Sequence, residues 1–387
     1  MKHKIFLISI ICLFFGCNKS DSIDEIDEEF IFNVSTHTYN YCNENWEDTD
    51  SSLTIKSGET EIINQELTLG LNSILLPPGY TDFEIRISKD GTEEASFNLT
   101  KEEIKAYKNS VLEINLNTKI FEGDLIIDTL EKYNNLITSN YGRVDGSLVI
   151  ANINNLQNFN NLSSLTSIKE GLRIINLENI KNLDGINNIK CIGGDLSIYN
   201  NPSIININSL SNLSYIGDYV WIQDNQELIN LEGLNNIASL KSDLEILNNN
   251  KLVSLDGIDN IKSIEGEIYI SGNETLTSIT ALSGLTEVKK DLSIKGNFKL
   301  TSLSGLNNIT SIASNFYLTE CRINSLEGLN NLIFIGESLQ IYNNSFLYDW
   351  CPLQNLFINN GLGGGHLFGN CSFNPSIQNI IDGNCSP

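Results

Sequence analysis

The chain has 387 residues, with 24 Lys+Arg against 48 Asp+Glu and a formal net charge of −24. That acid excess argues against nucleic-acid phosphate and anionic membrane surfaces as partners, because clustered Lys and Arg hold both. Three His, of which His3 lies in the leader, leave only His37 and His366, far apart in sequence, for a catalytic triad or a His-rich zinc site.

Residues 1–17 read MKHKIFLISIICLFFGC, a basic start followed by an apolar run from Ile5 to Phe15. Such a run is too short to span a hydrocarbon core of ~30 Å and reads as a signal peptide. Its end, Gly16-Cys17, resembles the lipobox of bacterial lipoproteins, although Phe14 stands where Leu or a small aliphatic residue is usual. The resemblance implies that Cys17 is acylated and becomes the mature N-terminus. Residues 18–29 are polar and acidic, cannot bury enough apolar area to fold, and predict a solvated tether. An acidic stretch behind the lipobox also resembles the surface-export signals of Bacteroidota lipoproteins. It implies a lipid-anchored protein on the outer membrane, exposed to the outside.

From residue 30 to about 120 the apolar period is two. Phe83, Ile85 and Ile87 alternate with polar residues, as do Ala95, Phe97 and Leu99, and later Leu112, Ile114 and Leu116. Lys89-Asp90-Gly91-Thr92 supplies an Asp-Gly turn of the kind that closes two-residue hairpins. These features predict a small antiparallel β-sandwich with one wet face. It contains no catalytic constellation and reads either as a spacer or as an Ig-like ligand-binding module.

Residues 121–350 repeat with a period of 24. Leu148, Leu172, Leu196, Val220, Leu244, Ile268, Leu292 and Phe316 keep that spacing, and Ile150, Ile174, Ile198, Ile222, Ile246, Ile270, Ile294 and Leu318 follow two positions behind. This alternation predicts one short strand per repeat with its first and third residues inward. Three positions further on stand Asn201, Asn225, Asn249, Asn273, Asn297 and Asn344, with Cys321 in the same place in a shorter repeat. Asn there can bond free backbone groups at the bend, and stacked copies can satisfy one another's turns. A row of apolar residues at intervals of three predicts extended or 3₁₀-like segments rather than α-helix, with Gly257 easing a corner. No single unit can bury both rows, so the units must stack as a solenoid. Asp184-Gly185 and Asp256-Gly257 read as corners of it rather than as calcium loops.

The unit LxIxxNxxLxxLxGLxxIxxIxxx resembles leucine-rich repeats, and more closely those of receptor L-domains, over about 230 residues. Residues 252–264, LVSLDGIDNIKSI, and 300–312, LTSLSGLNNITSI, are similar to repeats of bacterial surface lipoproteins in that group. The first two units depart from the pattern, with Ile153 and Leu177 in place of Asn. The likeness implies a right-handed β-solenoid and a binding role, and it transfers no functional residues.

Trp350-Cys351-Pro352 breaks the repeat, and residues 351–387 read as a cap. Bacterial relatives often end in a similar Cys pair, which implies a Cys351–Cys385 disulfide; closing that loop adds roughly 4 kcal/mol in the chain-entropy model. Cys42, Cys191, Cys321 and Cys371 are left unassigned by sequence, and none has the CxxC or CxxH spacing of zinc. Gly361–His366 lacks the Lys-Ser/Thr of a phosphate loop and reads as a flexible turn. Carboxylates are scattered over solvent positions rather than paired for glycoside hydrolysis. The expectation is a non-enzymatic protein without metal or cofactor.

If the first and third strand residues face in, the second and fourth face out. The second column carries Trp221, Tyr269 and Tyr317 on alternate rungs, ~9.6 Å apart, and Tyr199 and Tyr342 flank them in the fourth. Aromatics pair well across strands for structural reasons alone, yet they also dominate protein hot spots and stack on sugars. Two occupants follow: a protein or cell-surface partner, as in adhesion, or an extended glycan handed to a polysaccharide-uptake system.

Overall fold

A computed structural model describes residues 30–40, 45–48, 51–68, 71–76, 82–100, 111–116 and 118–387; Cys17, the leader and the tether lie outside the described residues. Among the described residues eight strands come first: β1 Phe30–Asn40, β2 Asn45–Asp48, β3 Ser51–Ser57, β4 Thr60–Leu67, β5 Asn72–Leu76, β6 Asp82–Ser88, β7 Ala95–Thr100 and β8 Val111–Leu116. One sheet runs β4-β3-β6-β7; the other runs β2-β1-β5, with β8 also paired to β1. The period-two pattern works as predicted in β6, where Phe83, Ile85 and Ile87 are buried and join Val34, Leu53, Ile55 and Ile74 in one cluster.

Two details differ from the sequence reading. The β1–β8 pair is parallel, not antiparallel. The Asp90-Gly91 turn forms, with Thr92 N–H donating to the Lys89 carbonyl, but β6 and β7 pair from Ile87 and Ala95, so the connection is longer than two residues. The turn has other work. Gly91, at φ +84°, lies against Gly142 and the Ser164 carbonyl, and its own carbonyl accepts from Lys119 N–H.

From residue 120 onward the structure is a β-solenoid. Eleven strands, from Leu125–Ile127 to His366–Gly369, form one parallel sheet in strict chain order. The 24-residue column pairs without a slip: Leu196 with Val220, Val220 with Leu244, Leu244 with Ile268. First and third residues of the first ten strands are buried, in a cluster separate from that of the N-terminal strands. The rows spaced by three supply the other walls as two-residue strands, such as Ser263–Ile264, and 3₁₀ turns, such as Asn208–Leu210 and Thr280–Gly284. Gly185 and Gly257 are the corners expected, at φ +110° and +116°; a Cβ on Gly257 would lie 2.1 Å from the Leu231 carbonyl oxygen.

The asparagine column is a buried ladder. Asn201, Asn225, Asn249, Asn273, Asn297 and Asn344 are all 0% exposed. Each Nδ2 donates to the third strand residue's carbonyl one rung back, as Asn249 does to Ile222 O at 3.0 Å. Each Oδ1 from Asn201 to Asn297 accepts a backbone N–H from the preceding rung, as Asn249 does from Asn225 at 3.1 Å, and Asn201 extends the service to Leu177. One residue before each ladder position the backbone turns left-handed, at Asn152, Asn176, Asn200, Asp224, Asn248, Gly272, Gly296, Glu320, Asn343 and Asn370. Asn and Gly dominate there because they tolerate positive φ.

Cys321 interrupts the ladder. Its own N–H still donates to Asn344 Oδ1, but its sulfur lies 4.0 Å from the Ile294 carbonyl that an Asn amide would bond. Burial pushes its thiol up to about 12, so it stays protonated. Cys321→Asn is expected to restore both side-chain bonds and raise stability by about 1 kcal/mol, read as a shift in urea midpoint at unchanged slope.

The far end corrects the sequence reading. Residues 366–369, assigned to the cap, form the eleventh strand, paired with Leu339–Tyr342. The glycines before it are packed rather than loose: added Cβ atoms on Gly361 and Gly363 would collide with the Ile333 and Gly336 carbonyls. Beneath them Trp350 is fully buried, its indole donating to Phe373 O, and Cys351 is bonded to Cys385 as the resemblance implied. Of the other cysteines Cys191 is also disulfide-bonded, whereas Cys321 and Cys371 are free.

Candidate recognition face

Parallel pairing in register places the second strand residues of successive rungs in one column: Ser197, Trp221, Glu245, Tyr269, Ser293, Tyr317 and Gln340. Tyr199, Gln223, Leu247, Ser271, Lys295, Thr319 and Tyr342 form the fourth-position column beside it by the same pairings. Trp221, Tyr269, Tyr317, Tyr199 and Tyr342 are all half-buried, so each keeps a solvent-facing part.

The structure gathers four of these five aromatics into two groups. Tyr199 stacks on Trp221 from the preceding rung, with centroids 4.7 Å apart and planes 25° from parallel. The Trp221 indole N–H donates to Gln223 Oε1 at 2.9 Å, fixing the ring along its rung. Three rungs beyond Trp221, Lys295 places its ammonium 5.3 Å from the Tyr269 ring centre and 4.5 Å from that of Tyr317. Each contact has cation–π geometry. Tyr342 stays outside both groups and stacks on no other ring among the described residues.

Tyr199 and Trp221 each give a ring face to the other, and Tyr269 and Tyr317 each give one to Lys295, so none of these four rings is open on both faces.

Charged groups on the face are fixed too. Arg173, in the second column, makes a two-point contact with Asp195, Nε to Oδ2 at 3.0 Å and Nη2 to Oδ1 at 2.8 Å. Burial works to raise the Asp195 pKa, but hydrogen bonds from Arg173 and Ser197 outweigh it and hold the carboxyl below its ordinary value. Glu245 behaves oppositely, its pKa raised by burial first and then by the carboxylates of Asp243 and Glu267.

Counting by 24 also puts Arg173, Glu245 and Lys295 on the columns, but it does not reveal their roles. The only available signal was a Lys diagonal to two alternate-rung tyrosines, and rotamer choice decides whether such a Lys reaches them.

A polar cleft of about 810 Å³ lies elsewhere, between Ser52, Glu66 and Lys89 of the N-terminal strands and Asn140, Thr166 and Asn188 of the first solenoid turns. No family model matches the chain, and neither a curated protein nor a solved structure matches it.

Proposed function

We propose that the protein is a non-catalytic, lipid-anchored surface protein of a bacterial outer membrane whose solenoid recognises a protein partner, as in adhesion. The observation that carries this reading is the outward sheet, where half-buried aromatics pack on one another and on Lys295, with Arg173 and Glu245 in the same column. Trp, Tyr and Arg are the residues enriched in protein hot spots, and a pre-organised face loses little entropy on binding. The repeat is read as the receptor L-domain type of leucine-rich repeat with right-handed coiling. The N-terminal strands are read as a small β-sandwich acting as a spacer.

The second reading is glycan capture for polysaccharide uptake. The polar cleft favours it, because hydroxyl and amide side chains line it and suit sugar hydroxyls. A combined glycan and protein array probed with the soluble protein separates the two. The first reading expects protein ligands and no polysaccharide class; affinity for a single polysaccharide class would replace it with the second.

The anchor has its own test. Cys17→Ser is expected to abolish incorporation of labelled palmitate and to move the protein from the membrane fraction to the soluble one. Unchanged labelling would remove the lipoprotein reading.

A further inference from the structure

Lys295 demonstrates what a gap between alternate-rung aromatics accepts. Its ammonium sits between Tyr269 and Tyr317, with Ser293 at the middle rung of their column. Trp221 and Tyr269 are also two rungs apart in that column, and Glu245 occupies their middle rung. Tyr199, from the rung before, covers one face of Trp221, and Glu245 stands on the rung after it in the column. Lys295, from the rung after, lies over the Tyr269 ring, and Glu245 stands on the rung before it.

Among the described residues no Lys or Arg stands over Trp221, and Lys295 is the cation over Tyr269. Glu245 is half-buried, and its carboxylate makes no hydrogen bond or ion pair with any described residue. Asp243 and Glu267 add negative potential beside it, and Lys290 lies 3.8 Å from Asp243. A partly desolvated carboxylate without a partner is costly, and a cation enclosed by two π faces and a carboxylate removes that cost.

We infer that the gap between Trp221 and Tyr269 is a slot for a basic side chain, Arg or Lys, supplied by the protein partner. This inference rests on the recognition role proposed for the face. Glu245 supplies the ion pair, and the two rings sandwich the cation as Tyr269 and Tyr317 sandwich Lys295.

The test uses the full chain and two blocked tripeptides, Gly-Arg-Gly and its citrulline isostere, followed through the Trp221 indole N–H resonance. The Arg peptide is expected to shift that resonance, and the uncharged isostere to leave it in place. Glu245→Gln is expected to weaken the Arg peptide at least tenfold, whereas Glu232→Gln, at an exposed corner, leaves it unchanged. Equal shifts from the isostere, or equal losses in the two Glu variants, would overturn the slot. A protein ligand that needs the aromatics but is indifferent to Glu245→Gln would also overturn the slot while leaving the recognition face standing. Indifference to the aromatics as well would remove both.

Discussion

Asn249→Ala is expected to cost about 4 kcal/mol of stability, although Asn249 touches no ligand-facing residue. The change strips two fully buried backbone groups at once. Asn225 N–H loses its acceptor, and the Ile222 carbonyl loses the Nδ2 donor. An orphaned buried donor or acceptor costs about 1–3 kcal/mol, and Ala cannot fill the amide's volume or admit water there. The control is Asn260→Ala. That side chain also donates to a backbone carbonyl, Asn235 O at 2.7 Å, but at an exposed corner where water replaces it. Its expected cost is below about 1 kcal/mol. Urea unfolding of the two variants checks the contrast, and equal costs would show that the ladder is not a principal restraint.

The second large effect concerns recognition. Replacing Trp221, Tyr269 and Tyr317 together with Ala is expected to lower affinity for a protein ligand by at least a hundredfold while leaving the solenoid folded. Hot-spot aromatics each contribute about 2 kcal/mol or more, and this substitution also releases Tyr199 and Lys295 from their contacts. The fold should survive because all three side chains lie outside the two inward rows that form the core. Surface plasmon resonance gives the affinity, and an unchanged far-UV circular dichroism spectrum shows that the fold persists. Full binding by the triple variant would contradict the recognition face.

Much of the solenoid was legible before any coordinates. A period of 24, carried by inward aliphatics and a recurrent Asn, admits one stacking register, because a one-residue slip would turn Leu244 and Ile246 outward. The ladder's chemistry was legible too, since a buried Asn in every turn needs partners that only adjacent turns can supply. What escaped was whatever breaks the period. His366–Gly369 lacks the aliphatic first residue, because the last rung has no following turn to bury it, so the strand was taken for part of the cap. The left-handed column was missed because Asn, Asp, Gly and Glu share no side-chain chemistry; only the backbone requirement at that bend unites them. The parallel β1–β8 pair depends on chain direction, which alternation does not encode.

At the candidate site the columns were readable and the contacts were not. Counting by 24 puts Tyr269, Lys295 and Tyr317 on neighbouring rungs, and the pairing agrees. That Lys295 lies between two rings while Glu245 has no partner follows from side-chain packing across rungs. One face of each of four aromatics is engaged within the protein, which supports the proposed protein partner over a planar sugar chain.

The most direct measurement is hydroxyl-radical footprinting of the protein alone and bound to a protein ligand from the array. Protection of Trp221, Tyr269 and Tyr317, with Phe298, Phe346 and Tyr215 unchanged on other faces, is the result predicted. Unchanged oxidation of Trp221, Tyr269 and Tyr317 with protection elsewhere would contradict it.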